Sequence, residues 1–285
     1  MQAAKKIILD RLSPCYRKQE IESIRKLILE KVLGLSRLGV HLNQHETISA
    51  ANLTQIKEIT DRLIRFEPIQ YILGETEFYG SILKVNPAVL IPRPETEELV
   101  DWIIRENNQL APSILDIGTG SGCIPISLVK KIPGAAAEGW DISTDALKVA
   151  KENAESNHVS IDFYYADVLN LDYPSKIEKY DIIVSNPPYV TTAEQLLMER
   201  NVMDFEPHSA LFVPDADPLI FYRAIANLAI HHLNQQGNLY FEINEKYGNE
   251  VSDLLSLKGF RNIRIKKDIN GKDRMVKAEW DSSAM

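Results

Sequence analysis

The chain of 285 residues contains little cysteine, no long hydrophobic run and no excess of positive charge. Its two cysteines, Cys15 and Cys123, are too few for a disulfide framework or a cysteine-based metal site. No apolar run reaches the roughly 18 residues of a transmembrane helix, and the initial stretch "MQAAKKIILD" lacks the apolar segment of a signal peptide. These absences predict a cytoplasmic protein that works without a membrane and without a metal.

The charge balance argues against nucleic acid as the main partner. The formal net charge is -8 at pH 7, whereas a protein that neutralises many phosphates usually carries a basic face. The charge is uneven, because residues 1–75 hold 12 Lys/Arg and 9 Asp/Glu while the remainder holds 20 and 31. The mildly basic N-terminal part could therefore still face an acidic partner or RNA.

The N-terminal part has the hydrophobic spacing of helices. In "EIESIRKLILEKVLG" the apolar residues recur every three or four positions, and Gly34 follows as a helix-ending glycine. The segment "LTQIKEITDRLIRFEP" repeats this spacing up to Pro68. Residues 1–75 are therefore predicted to form a small bundle of four or five helices. The β-branched and aromatic residues around Gly80 then predict a β-hairpin linker at 76–92.

From residue 111 onwards, strand-like and helix-like segments alternate. Strand patterns such as "SILDIG" and "AAAEGWDI" are each followed by an amphipathic helix pattern. This alternation predicts an α/β domain with a mostly parallel sheet over residues 93–285. Near the end of the chain, Asn270 and Gly271 separate two further strand patterns, which predicts a terminal hairpin that adds an antiparallel strand.

A glycine-rich turn, "LDIGTGSGC" at residues 115–123, follows the first strand of this domain and opens a helix. A dinucleotide-binding turn would carry Gly or Ala at position 123, where this chain has Cys123. A GxGxG turn preceded by Asp116 instead resembles motif I of S-adenosylmethionine-dependent methyltransferases. Glycine allows the backbone to approach a ligand closely, and the carboxyl ends of parallel strands are where such sheets bind ligands.

Acidic residues end the next two predicted strands. Asp141 lies 23 residues after Gly118, where a carboxylate can accept from both ribose hydroxyls. Asp167 can accept from an adenine amino group, with Val168 packing beside the ring. Taken singly, the glycine-rich loop could equally be a tight turn without a ligand, and Asp167 could equally be the N-cap of a helix. Taken together, the three strand ends predict one nucleoside site.

The stretch "SNPPYV" at residues 185–190 ends the apolar strand "YDIIV", because proline cannot donate to a sheet ladder. It resembles motif IV of methyltransferases that act on planar NH₂ nitrogens, such as adenine N6, cytosine N4 or an amide. The Asn186 side-chain oxygen and the Pro187 carbonyl are expected to accept from the two N–H groups, and Tyr189 offers a flat face for stacking. Transfer is then an in-line displacement that needs positioning but no prior general base.

Longer blocks resemble the peptide-chain release factor glutamine methyltransferase family (PrmC, also called HemK) over nearly the whole chain. They are "EPIQYILGETEFYGSILKVNPAVLIPRPETEELV", "ILDIGTGSGCI", "VSNPPYV", "FEPHSAL" and "KDINGKDRMV". The resemblance implies a Rossmann-like class I methyltransferase domain behind the helical domain, with S-adenosyl-L-methionine as donor. It implies that the acceptor is the Gln side-chain amide of the Gly-Gly-Gln motif in class-1 translation release factors. It also implies that the helical domain helps to dock the release factor.

The same resemblance assigns the site residue by residue. It places the cofactor on Gly118, Thr119, Gly120, Ser121, Gly122, Asp141, Asp167, Val168 and Asn186. It places the substrate on Asn186, Pro187, Pro188 and Tyr189, of which Asn186, Pro187 and Tyr189 are catalytic. Val168 stands where some relatives carry Trp. In "EINEKYGNEV", Asn244 and Tyr247 depart from the family pattern, in a strand end that is expected to be remote from the chemistry.

Other functions share parts of this pattern. An amino-methyltransferase acting on adenine N6 in nucleic acid would have the same fold and motif, although the acidic balance argues against it. A non-catalytic S-adenosyl-L-methionine-binding module would predict a disrupted motif, whereas both motifs are intact. The segment Arg93–Glu97 is either part of the rim of the site or only the start of a helix. We expect a monomer without direct nucleic-acid contact.

Overall fold

The computed structural model of the chain describes residues 1–43, 45–170 and 179–281. The chain divides by its internal contacts into two compact units. The first comprises Met1–Gly74 and Glu199–Phe205, and the second comprises Glu75–Met198 and Glu206–Met285. The last four residues of the predicted domain at 93–285 lie outside the described residues.

The described residues contain eleven helices and eleven strands, with short 3₁₀ turns at Thr192–Leu197 and His208–Ala210. The helices are α1 (Gln2–Leu12), α2 (Lys18–Leu33), α3 (Arg37–Leu42), α4 (Ala50–Leu63), α5 (Ile69–Leu73), α6 (Pro94–Glu106), α7 (Cys123–Lys131), α8 (Thr144–Ser156), α9 (Arg200–Phe205), α10 (Ile220–His232) and α11 (Gly248–Leu257). The strands are β1 (Glu75–Phe78), β2 (Ser81–Lys84), β3 (Ser113–Ile117), β4 (Ala136–Asp141), β5 (Asp162–Tyr165), β6 (Tyr180–Ser185), β7 (Val190–Thr191), β8 (Phe212–Val213), β9 (Leu233–Glu242), β10 (Arg261–Lys267) and β11 (Asp273–Glu279). None of the described helices is long and apolar enough to cross a membrane.

Helices α1 to α5 form most of the first unit, and α1, α2, α4 and α5 bury apolar residues on one side, as amphipathic helices do. Helix α2 ends at Gly34, which has a φ of 63° and donates its N–H to the Glu30 carbonyl, because a left-handed residue closes a helix with little strain when it is glycine. The predicted bundle of four or five helices is confirmed by five helices in the described part of residues 1–75. Its core includes Ala4, Ile8, Leu12, Ile21, Ile24, Ile28, Leu29, Ile56, Ile59 and Leu63.

A seven-stranded sheet forms the centre of the described part of the second unit, in the order β10-β11-β9-β6-β3-β4-β5. Strands β5, β4, β3, β6 and β9 pair in parallel, whereas β11 runs antiparallel to both of its neighbours. The turn between β10 and β11 contains Gly271 with a φ of 80°. The predicted α/β fold, with a mostly parallel sheet and an antiparallel terminal strand, is confirmed.

Helices cover both faces of this sheet, because successive side chains of a strand point to opposite faces. In β3, Ile114 belongs to a buried cluster with residues of α6, α7 and α8, whereas Leu115 belongs to a cluster with residues of α10 and α11. In β9, Tyr240 and Phe241 divide between the same two clusters. The strands are therefore apolar on both sides, as expected of a buried parallel sheet.

The order of the strands determines where a ligand can enter. From β3 the chain continues on one side to β4 and β5, and it then crosses to the other side, to β6 and β9. Open α/β sheets bind ligands at such a reversal, in the crevice beyond the carboxyl ends of the strands. The glycine-rich turn after β3 and the Asn-Pro-Pro-Tyr motif after β6 lie on the two sides of this crevice.

Candidate active site

A cavity of about 410 Å³ opens at the carboxyl ends of β3, β4, β5 and β6. This volume lies within the range of small-molecule and cofactor sites. The predicted site residues that line it are Gly118, Thr119, Gly120, Ser121, Asp141, Asp167, Val168, Asn186, Pro187 and Pro188. The structure thus brings together ten of the twelve predicted residues, and it leaves Gly122 and Tyr189 outside the lining.

The glycine-rich turn is held in place by the end of β4. Gly118 and Gly120 have φ values of 74° and 52°, a backbone region that residues with a side chain rarely adopt. The N–H groups of Gly118 and Thr119 both donate to the Trp140 carbonyl, at 2.8 and 2.9 Å. The Gly120 N–H donates to Asp141 Oδ2 at 2.9 Å. The turn is therefore pre-shaped, with its backbone facing the cavity.

Gly122 serves the packing of helix α7 rather than the lining of the cavity. Its φ is 78°, and it precedes the first residue of the helix. A Cβ atom at this position would lie 3.2 Å from Ile126 Cδ1 and 3.3 Å from Ala150 Cβ. The third glycine of the turn thus lets α7 and α8 approach each other.

Asp141 connects the turn to the cavity through its carboxylate. One oxygen accepts from the Gly120 N–H, and the other accepts from the Ser143 N–H at 2.8 Å. Burial raises the pKa of Asp141, while these backbone hydrogen bonds oppose the rise. A carboxylate oxygen can accept more than one hydrogen bond, so both oxygens keep capacity for a ligand.

Asp167 stabilises a turn at the end of β5. Its Oδ1 accepts from the Leu169 N–H at 2.9 Å, and its Oδ2 accepts from Asn170 Nδ2 at 2.7 Å. Residues 168–170 form a turn and not a helix, so the described residues do not support the alternative in which Asp167 caps a helix. Val168 follows directly and lines the cavity.

Three polar side chains around the glycine-rich turn are buried without a well-aligned partner. Among the described residues, no donor has good hydrogen-bond geometry to either carboxylate oxygen of Asp116, and the hydroxyls of Thr119 and Ser121 form no well-aligned hydrogen bond. Burial raises the pKa of Asp116 to about 7, although Thr119 lies close enough to Asp116 to oppose the rise. A buried polar group without a partner costs about 1–3 kcal/mol, and such groups are rare in native proteins. Two of the three, Thr119 and Ser121, line the cavity.

The Asn-Pro-Pro-Tyr motif begins where β6 ends. Ser185 Oγ donates to the Ile117 carbonyl at 2.6 Å, which ties the ends of β6 and β3 together. Asn186 Nδ2 donates to Thr96 Oγ1 at 3.2 Å. The amide nitrogen of Asn186 is thus turned towards α6, and its oxygen is the end that remains for a ligand.

The end of β9 contacts this motif, so the expectation that it is remote from the chemistry is wrong. Glu242 Oε2 accepts from Thr96 Oγ1 at 2.6 Å, and Glu242 Oε1 accepts from the Tyr189 hydroxyl at 2.9 Å. Asn244 Nδ2 donates to the Tyr189 carbonyl at 3.1 Å. Burial raises the pKa of Glu242.

The physical reason is the sheet order. Strand β9 pairs in parallel with β6, and Ser185 lies opposite Phe241, so that Glu242 lies level with Asn186. Sequence reasoning therefore missed Glu242, and it considered Thr96 only as part of the segment Arg93–Glu97. The available signal was a carboxylate directly after the apolar run "LYF", at the carboxyl end of a predicted parallel strand.

The segment Arg93–Glu97 combines both of its predicted roles. Helix α6 starts at Pro94, a favoured first position, and Arg93 and Thr96 line the cavity. The Arg93 guanidinium donates to Glu206 Oε1 at 2.5 Å, and the same carboxylate accepts from the Ile91 N–H at 3.1 Å. The rim is thus fixed by a buried carboxylate from the loop after α9.

Two family models match the chain. The model described as "Methyltransferase small domain" matches residues 97–204, and the "PrmC N-terminal domain" matches residues 9–74. Relatives match over far more of the chain. The release factor glutamine methyltransferase of Bacteroides thetaiotaomicron is 47% identical over 267 residues, which are 94% of this chain and 95% of the relative. The chain belongs to the release factor glutamine methyltransferase family. The resemblance described above is therefore confirmed.

The similarity to this family extends to other bacteria. The release factor glutamine methyltransferase of Flavobacterium psychrophilum is 45% identical over 273 residues, with coverage of 94% of this chain and 95% of the relative. Among solved structures, the T. thermophilus 16S rRNA N2 G1207 methyltransferase in complex with AdoMet and guanosine aligns with a TM-score of 0.52. That alignment is 19% identical and covers 72% of this chain and 49% of the other, which shows the methyltransferase fold.

Proposed function

We propose that the chain transfers a methyl group from S-adenosyl-L-methionine to the side-chain amide nitrogen of the Gln in the Gly-Gly-Gln motif of class-1 release factors. The observation that carries the proposal is the orientation of Asn186. Its amide oxygen is left available at a cavity to which Asp141 and Asp167, at the ends of β4 and β5, offer acceptors for a nucleoside. An acceptor at this place suits an NH₂ group, and membership of the family indicates which NH₂ group it is.

The cofactor fits the groups around the glycine-rich turn. Ribose hydroxyls and an adenine amino group are donors, and Asp141 and Asp167 offer carboxylate oxygens to them. The buried hydroxyls of Thr119 and Ser121 line the cavity and lack well-aligned partners, which a polar ligand would supply. When bound, S-adenosyl-L-methionine supplies an electrophilic methyl group. The proposed chemistry gives no role to a metal, because the protein's own oxygens hold both N–H groups of the acceptor.

The substrate clamp, residues Asn186–Tyr189, addresses the weakness of an amide nitrogen as nucleophile. Its lone pair is delocalised into the carbonyl, the resonance that keeps peptide bonds planar. Asn186 Oδ1 and the Pro187 carbonyl are proposed to accept the two N–H groups, which favours positive charge on the nitrogen as it attacks. The prolines restrict the backbone, so the Pro187 carbonyl keeps its direction. Tyr189 is proposed to support the planar group with its ring, while Glu242 holds its hydroxyl.

The remaining assignments are proposals of the same kind. Residues 1–75 are proposed to form the domain that docks the release factor, 76–92 a hairpin linker and 93–285 the methyltransferase domain. The basic surplus of the first 75 residues supports a docking role. The protein is proposed to act in the cytoplasm as a monomer, without direct contact to nucleic acid.

Methyl transfer from labelled S-adenosyl-L-methionine to a purified class-1 release factor tests the proposal. The matched control is the same factor with Gln→Ala in its Gly-Gly-Gln motif, and a duplex DNA with adenine sites is assayed beside it. We expect label in the unchanged factor alone. Label in the Gln→Ala factor would exclude the amide as acceptor, and label in the DNA alone would establish the adenine N6 alternative.

A further inference from the structure

We infer that Glu242, acting through Thr96, determines which end of the Asn186 side-chain amide faces the methyl acceptor. Glu242 and Thr96 are positioning residues, since neither needs to touch the reacting atoms. The effect on turnover rests on the proposed function. The hydrogen-bond chain from Glu242 through Thr96 to Asn186, by contrast, is a property of the protein alone and can be measured without a substrate.

The chain starts from a carboxylate that has no access to water. Glu242 is 1% exposed, and each of its oxygens accepts from one hydroxyl, Thr96 Oγ1 at 2.6 Å and Tyr189 Oη at 2.9 Å. An ionised carboxylate can only accept hydrogen bonds. While Glu242 is ionised, both hydroxyls therefore point their protons towards it.

This fixes the direction of the next hydrogen bond. A threonine hydroxyl has one proton, and Thr96 gives it to Glu242, so towards Asn186 the Thr96 oxygen can only accept. The group of Asn186 at 3.2 Å from that oxygen must then be the NH₂ end. Thr96 is only 2% exposed, so water has little access to replace either bond. The side-chain oxygen of Asn186 is left for the cavity.

The charges around Glu242 bear on its acceptor role. Burial raises its pKa, and the negative charge of Glu95 adds to the rise, while the two hydroxyl donors and the positive charge of Arg274 oppose it. Arg274 is itself held by Asp268, at 3.2 Å, and by the Ile243 carbonyl. A proton on Glu242 would make one of its oxygens a donor. The Thr96 hydroxyl would then no longer be required to donate its own proton to Glu242.

The fixed orientation selects the chemistry of the acceptor. An Asn186 oxygen at the cavity attracts an NH₂ group and repels a carboxylate, whereas an Asn186 NH₂ group would do the reverse. Specificity for a glutamine amide over a glutamate side chain would thus be determined partly by an unfavourable contact with the wrong group. Two residues outside the Asn-Pro-Pro-Tyr motif would control this choice.

The substitution Thr96→Val tests the inference, because valine keeps the shape of threonine and removes the hydroxyl. We expect turnover of the release factor to fall by about 10- to 100-fold, below the effect of losing a preorganised polar group outright. The dissociation constant of S-adenosyl-L-methionine should change by less than about threefold, a small difference beside the effect on turnover. Thr96→Ser, which restores the hydroxyl, should recover most of the lost turnover.

A double substitution separates positioning from general damage. If Thr96 acts through Asn186, then Thr96→Val should have almost no further effect in an Asn186→Ala background, because interacting residues are not additive. A merely structural role for Thr96 would instead multiply the two losses. Multiplied losses, or wild-type turnover in Thr96→Val, would overturn the inference.

Exchange of the Asn186 side-chain NH₂ protons with water gives a measurement that needs no substrate. The NMR signal is assigned by its absence in Asn186→Ala. We expect Thr96→Val to accelerate the exchange by about tenfold, which corresponds to the loss of one hydrogen bond, and Thr96→Ser to leave it slow. Unchanged exchange in Thr96→Val would overturn the inference. A wild-type protein that shows the expected exchange but methylates no release factor would overturn the proposed function and leave this inference standing.

Discussion

The two sides of the cavity are built from opposite kinds of backbone. After β3, glycines with positive φ bring the main chain to the cavity, and backbone hydrogen bonds to Trp140 and Asp141 hold them there. After β6, prolines stiffen the main chain, and side chains from α6 and β9 hold the motif. Close approach of the main chain to a ligand requires residues without a Cβ. Holding the oxygens of Asn186 and Pro187 in fixed directions requires a rigid main chain. Cofactor affinity and methyl transfer should therefore respond to different mutations.

The largest effect is expected from Asn186→Ala. Turnover should fall by about 10²–10³, as for other preorganised polar groups, while the affinity for S-adenosyl-L-methionine stays nearly intact. Labelled methyl transfer gives the first quantity and calorimetric titration the second. Asn107→Ala, in the loop after α6, is the matched control. Wild-type turnover in Asn186→Ala would contradict the clamp mechanism. A loss of cofactor affinity as large as the loss of turnover would show that the two sides of the cavity do not act separately.

The two sides also differ in their buried carboxyls, since Glu242 has two hydroxyl partners and Asp116 has none with good hydrogen-bond geometry among the described residues. The pKa of Asp116 is about 7 in the folded protein and 3.8 as a reference. Between about pH 4 and pH 7 the Asp116 carboxyl is therefore protonated in the folded state and ionised in the unfolded state. The stability that this bound proton contributes is lost as the pH rises through that range.

We expect Asp116→Asn to remove this loss. Relative to the variant, the wild-type protein should lose about 1–4 kcal/mol of unfolding free energy over that pH range, at about 1.4 kcal/mol per pKa unit. Urea unfolding of both proteins at a series of pH values measures the difference. A difference that stays constant with pH would contradict the raised pKa of Asp116.

A change of affinity without a change of turnover is expected on the cofactor side. Asp141→Asn places an NH₂ group among the backbone N–H donors of Gly120 and Ser143, and it removes a charged acceptor. The affinity for S-adenosyl-L-methionine should fall by about 10- to 100-fold, the effect of losing hydrogen bonds to a charged group. Turnover at saturating cofactor should stay close to wild type. The exposed Asp145→Asn on α8 is the control, and a loss of saturated turnover alone would contradict the assignment.

The smallest effect is expected from the glycines themselves. Gly120→Ala and Gly122→Ala share the cost of a positive φ, but only the alanine at 122 meets neighbours, at 3.2 and 3.3 Å. Gly122→Ala should therefore lose about 1 kcal/mol more unfolding free energy than Gly120→Ala, because small overpacking costs are of this size. Gly120→Ala should act mainly on cofactor affinity, since Gly120 lines the cavity. Equal stabilities in urea would show that α7 adjusts to the extra methyl group.

Much of the fold could be predicted because its signals are local. Helical spacing in residues 1–75, alternating segments after residue 111 and the hairpin at Asn270–Gly271 each depend on neighbours in the chain. The site was partly predictable for the same reason, since its residues directly follow recognisable strands. Thr96 and Glu242 were not predictable in this way. They lie 146 residues apart, and they meet because α6 packs against β9 on one face of the sheet.

Local sequence patterns were enough to predict the α/β fold, the glycine-rich turn and the clamp motif, because each signal comes from residues that are close together in the chain. The tertiary structure alone decided that Gly122 packs helices, that Tyr189 turns its hydroxyl to Glu242 and that Asn186 offers its oxygen. The direction of a hydrogen bond depends on its partner. Here the partners come from α6 and β9, which only the folded sheet brings beside the motif.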